Sequence, residues 1–118
     1  MATFDFEMAK VYHRRWRLSV EEYLDGLRAF DEDEMLYCTD CELGHWLEDY
    51  GMPTFGTLPE MQELMQMHAE LHSRMPKIVE LVKAGHRVSA HEEWAHIVPL
   101  SEHILILLDT VEARIMIS

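Results

Sequence analysis

Glycine, proline and cysteine are all scarce in this chain, at 5, 4 and 2 residues among 118. So few turn-formers argue for a compact helical protein rather than a loop-rich or disordered one. Two cysteines cannot supply a disulfide framework. Basic residues are also in the minority, with 10 Lys and Arg against 22 Asp and Glu, for a net charge of −12. Such a chain repels phosphate backbones and anionic lipid, which argues against nucleic acid and against a membrane surface. The N-terminal stretch MATFDFEMAK has acids where an export signal needs a basic and then an apolar run. The longest apolar region, IVPLSEHILILLD, is broken by Ser101, Glu102 and His103 and is too short to span a bilayer. The expected compartment is therefore the cytoplasm, where two cysteines point to metal or redox chemistry, or to neither.

What is present is an apolar share of 48% with nine methionines, enough for one domain over residues 1–118 with a real core. Phe6, Ala9, His13, Trp16, Val20, Tyr23, Leu27 and Phe30 recur at three-and-four spacing and predict a long first helix. Only His13 is polar in that stripe, and a histidine in an apolar seam needs a hydrogen bond or a metal. The run Asp31 to Glu34 reads as a solvated loop. Thr39 and Glu42 have the spacing of a capping box, which predicts a short second helix ending at Gly51. Leu43, Trp46, Leu47 and Tyr50 form its apolar face. Cys41 then falls in the first turn, where the helix dipole favours a thiolate. A linker, MPTFGT, precedes a third helix opened by Thr57, Pro59 and Glu60. Its stripe runs from Met61 to Val82, with a kink expected at Pro76 and an end at Gly85. A fourth helix, capped by Ser89 and Glu92, reaches almost to the C-terminus with a bend at Pro99. The expected fold is all-α, an antiparallel four-helix bundle. Residues 104–108 are apolar almost all round, and a homodimer is the simplest cover for them; deeper burial within the monomer is the alternative.

The sequence HAELH sets His68 and His72 one turn apart on one helix face, a spacing that lets two imidazoles hold one ion. Both lie in the apolar stripe of helix three. If the first three helices pack together, His13 and Cys41 meet them, and such a set suits zinc, a thiolate plus neutral imidazoles in a closed tetrahedral shell. Four protein ligands leave no position for an activated water, so an enzyme is not expected. His45, His86, His91, His96 and His103 do not converge with one another and read as non-ligands.

Three elements in order carry a resemblance: HRRW from His13, CELGHW from Cys41, and HAELH from His68. Their content and gaps resemble the chemoreceptor zinc-binding (CZB) domain of bacterial signalling proteins. The resemblance implies a helical bundle with zinc held between helices by His13, Cys41, His68 and His72. It also implies a regulatory role in chemotaxis or redox sensing, reporting zinc or oxidants such as hypochlorous acid. The partners it implies are a second copy and, in trans, a chemoreceptor or diguanylate cyclase. Gly44, Trp16 and Trp46 match further positions of the pattern. Cys38, which makes a Cys-x-x-Cys with Cys41, is not required by it. It is either a resolving thiol for an oxidised Cys41 or a bystander.

Three rival readings remain. A hemerythrin-like or di-iron bundle wants Glu-x-x-His on two helices, and only Glu93 to His96 provides one. A structural zinc clip would use the same ligands without exchange or oxidant response. A metal-free interaction module would have to satisfy three buried histidines by hydrogen bonds alone.

Overall fold

The computed structural model describes residues 6–27, 29 and 32–117, and every regular element among them is helical. The elements are α1 (Phe6–Leu24), α2 (Glu32–Leu36), α3 (Glu42–Trp46), α4 (Met52–Phe55), α5 (Pro59–Ser73), α6 (Met75–Lys83) and α7 (Arg87–Ile117). A π-helical turn, Leu47–Gly51, joins α3 to α4. The 31 residues of α7 set the long dimension of a 50 × 24 × 17 Å molecule, since a helix rises about 1.5 Å per residue.

The pairings along α7 fix its neighbours' directions. Lys10 meets Asp109, His13 meets Ser101, Glu21 meets Trp94, and Arg87 donates to the carbonyls of Tyr23 and Leu24. Partners rise on one helix as they fall on the other, so α1 and α7 are antiparallel. Glu60 with Arg114, Glu63 with His103 and Glu93 with Lys77 show the same for α5–α6 against α7. Two long units therefore flank α7, and the short helices α2 to α4 supply the remaining cover. The all-α expectation holds, while the second of four expected helices is a chain of short segments.

The core is built from two stripes of alternating three- and four-residue spacing. On α1 the buried positions include Phe6, Ala9, His13, Trp16, Val20 and Leu24. On α7 they are Ala90, Trp94, Ile97, Ser101, Ile104, Leu108 and Val111, each at most 5% exposed. Both faces thus carry a polar residue at mid-length, His13 and Ser101, and α1 buries Lys10 as well. The α1 stripe ends at Leu24 rather than running on. Gly26 turns the chain at φ +73, and Leu27 is 73% exposed; Phe30 lies outside the described residues.

Several helix ends differ from expectation for local reasons. Cys41, not Thr39, caps α3, its sulfur accepting from the Gly44 amide at 3.3 Å. Gly51 does not end the helix, because its backbone stays right-handed and Met52–Phe55 continues the turn. Tyr50 is half exposed as a result. Glu32 and the two acids after it open α2, where acids suit the helix N-terminus, rather than lying in a loop. Leu58, without a side-chain bond, stands at the cap of α5, and Glu60 instead pairs with Arg114. Pro76 splits the third helix outright: α5 ends at Ser73 and α6 restarts with the proline in its first turn, where no amide is missed. Ser89 lies inside α7, which begins at Arg87 after the left-handed Gly85. Of the apolar run in α7, Ile104, Leu107 and Leu108 are buried within the monomer, Leu105 is half-buried, and Ile106 is exposed.

Candidate metal centre

Two of these elements, α3 and α5, converge on one buried point. Cys41 is held at the start of α3, and His68 and His72 come one turn apart from the inner face of α5. Cys41 Sγ lies 3.2 Å from His68 Nε2, and donor atoms of Cys41, His68 and His72 all fall within 4.8 Å of one another. All three residues are buried, as is His13 of α1. His13 stands beside this cluster rather than in it. Its Nε2 is 2.7 Å from Ser101 Oγ on α7, and its ring stacks on Trp16, with centroids 5.8 Å apart. The indole of Trp16 in turn contacts His72 at 4.9 Å, so one side chain bridges the two imidazoles.

The surroundings set the protonation states. His72 Nδ1 donates to the Met35 carbonyl at 2.8 Å, which leaves Nε2 with its lone pair. Burial pushes His72 down to about 4 and His13 down to about 3, and it holds His68 well below the usual histidine value. The nearby His72, Arg17 and Arg14 add to the effect on His13, and a backbone hydrogen bond at Ser101 opposes it. All three imidazoles are thus neutral at physiological pH, the form that binds metal.

Cys41 departs from its expected state. Burial pushes the thiol up to about 11, although hydrogen bonds from the Gly44 and Leu43 amides pull the other way. The desolvation cost of a buried anion outweighs what a five-residue helix start returns. By itself Cys41 is therefore a protonated thiol, and only a cation at the cluster offsets the burial of its thiolate. Cys38 is a second free thiol, half-buried, whose carbonyl lies 3.7 Å from Cys41 Sγ.

Soft sulfur plus neutral imidazole nitrogen, buried and with no carboxylate in the cluster, is the donor chemistry of zinc. A family model, the chemoreceptor zinc-binding domain, matches residues 13–79, more than half of the chain. The chain belongs to that family. The match starts at His13 and includes Cys41, His68 and His72. The CZB domain is a zinc-binding regulatory domain, and the Cys41, His68 and His72 cluster is suited to a metal ion. Comparison with curated proteins and with solved structures gives no match. Among the described residues no helix is long and apolar enough to cross a membrane.

Two hydrogen-bond partners of these histidines were not legible from the sequence pattern. Met35 acts through a backbone carbonyl, which no side-chain pattern reports. Ser101 did leave a signal, as the one polar member of the α7 stripe. The other histidines stay apart: His103 pairs with Glu63 and His91 with Asp25, while His45, His86 and His96 are exposed.

Proposed function

We propose that this CZB domain is the input module of a bacterial signalling system, reading zinc or an oxidant such as hypochlorous acid. Zinc is held by Cys41, His68 and His72, with His13 as the fourth ligand. The buried 3.2 Å approach of Cys41 Sγ to His68 Nε2 carries the reading. Hypochlorous acid oxidises the Cys41 sulfur to a sulfenic acid, itself reduced to chloride, which takes away the sulfur donor. The Cys38 thiol can then displace water from that sulfur to form a disulfide. His13 is the mobile ligand, because it is the one ligand carried by α1, while the others come from α3 and α5. Loss of zinc frees α1 to change its packing on α7, and that change passes to a partner in the cytoplasm. The partner is a second copy of this chain or, in trans, a chemoreceptor or diguanylate cyclase.

The test is zinc content by elemental mass spectrometry before and after stoichiometric hypochlorous acid, with free thiols counted alongside. One zinc per chain, released as thiols are lost, supports the sensor. Zinc that stays bound removes the oxidant reading and leaves a zinc sensor or a structural clip, and hydrogen exchange in α1 that is the same with and without zinc removes the proposed output.

A further inference from the structure

His13 and Ser101 are polar residues buried midway along two otherwise mainly apolar faces, and they face each other across the α1–α7 seam. Their exposures are 2% and 0%. The serine stands between Ile97 and Ile104 in its stripe, where packing alone favours an aliphatic side chain. It also lies beyond the residues matched by the family model.

We propose that Ser101 is a positioning residue for His13, its Oγ accepting the Nε2–H so that the neutral ring keeps its lone pair on Nδ1. This rests on the reading of His13 as the fourth ligand. A neutral imidazole has one donor and one acceptor nitrogen, so whatever engages one nitrogen decides what the other can do. The same device operates on His72 with the nitrogens exchanged: the Met35 carbonyl takes Nδ1–H, and Nε2 keeps the lone pair. A helical serine can direct its own hydroxyl hydrogen to the carbonyl four residues back, which leaves its oxygen free to accept. Stacking on Trp16, at an interplanar angle of 15°, restrains rotation of the His13 ring about this bond. Ser101 thus links zinc affinity to the α1–α7 seam, since a shift of α7 that withdraws the hydroxyl removes what orders the ligand.

Long-range ¹H–¹⁵N spectra of the full chain, with zinc removed by a chelator, test the tautomer directly. The expected result is the Nε2–H form of His13 in the native protein and a mixture in Ser101→Ala. Zinc affinity, read by competition with a chromophoric chelator, should fall roughly tenfold in Ser101→Ala. In a His13→Ala background the same change should have no further effect. A native Nδ1–H form overturns the proposal. So does an unchanged or tighter zinc affinity in Ser101→Ala, or an equal loss in both backgrounds. His13→Ala with native zinc affinity would instead refute the ligand reading, and the tautomer would still decide the part played by Ser101.

Discussion

The carbonyl oxygen of Cys38 occupies the space that a side chain on Gly44 would need: a Cβ there would lie far inside van der Waals contact with that oxygen. The same Cβ would meet His68 Cε1 at 3.4 Å, an ordinary contact. Gly44 therefore permits the loop holding Cys38 and Cys41 to fold down onto α3, which delivers Cys41 Sγ to His68.

Gly44→Ala should accordingly be destabilising, although alanine in an ordinary helix position is favoured over glycine. Relieving the overlap moves backbone rather than a flexible side chain, which costs about 1–3 kcal/mol. Chemical denaturation with a zinc assay on the folded fraction checks this. A Gly44→Ala protein with native stability and native zinc content would show that the loop is not so constrained.

The metal-free protein should lose stability in mild acid. The folded-state values of His13 and His72, about 3 and about 4, lie below the ordinary 6.5 of the unfolded chain. Their contribution is complete above pH 6.5 and is lost as pH falls from there toward the folded values. In that window each such histidine weakens folding by about 1.4 kcal/mol per pH unit. Urea midpoints measured between pH 7 and pH 4 read the slope, and a flat profile would mean that the imidazoles are not held neutral.

Zinc affinity should rise with pH across the neutral range. The three imidazoles are already neutral there, while Cys41, pushed up to about 11, must release its proton when zinc binds. The apparent affinity then climbs about tenfold per pH unit, with about one proton released per zinc. Calorimetry in buffers of different ionisation enthalpy counts that proton. A count near zero would mean that Cys41 is already a thiolate.

Trp16→Phe should weaken both the fold and the centre. Trp16 is buried, and its Nε1 donates to the Glu34 carbonyl at 2.8 Å, tying α1 to α2 beside Met35. Loss of that bond costs about 1 kcal/mol, with the smaller ring adding a packing loss. Hydrogen exchange in α2 should quicken with the stability change, because the Met35 carbonyl that orients His72 lies on the same short helix. Trp94→Phe is the control: its Nε1 bonds the Glu21 carboxylate, which water can also serve, so its effect should be smaller.

The sequence by itself determined the helical class, the inward faces of the long helices and the one-turn pair of His68 and His72, while Cys41 joined that pair through the resemblance to the CZB pattern. It could do so because helical period and one-turn spacing are local properties. The stripes through His13 and His68 are visible in any reading with a period near 3.6. Helix ends were less legible, since Thr39, Thr57 and Ser89 have capping composition without the capping geometry, and Cys41 takes the cap instead. The tertiary structure alone decided the rest. Only packing sets Ser101 against His13, brings the Met35 carbonyl to His72, and buries Cys41 deeply enough to protonate it. Those contacts join residues 37 to 88 positions apart, and desolvation depends on everything packed around a group, so neither is written in a local pattern.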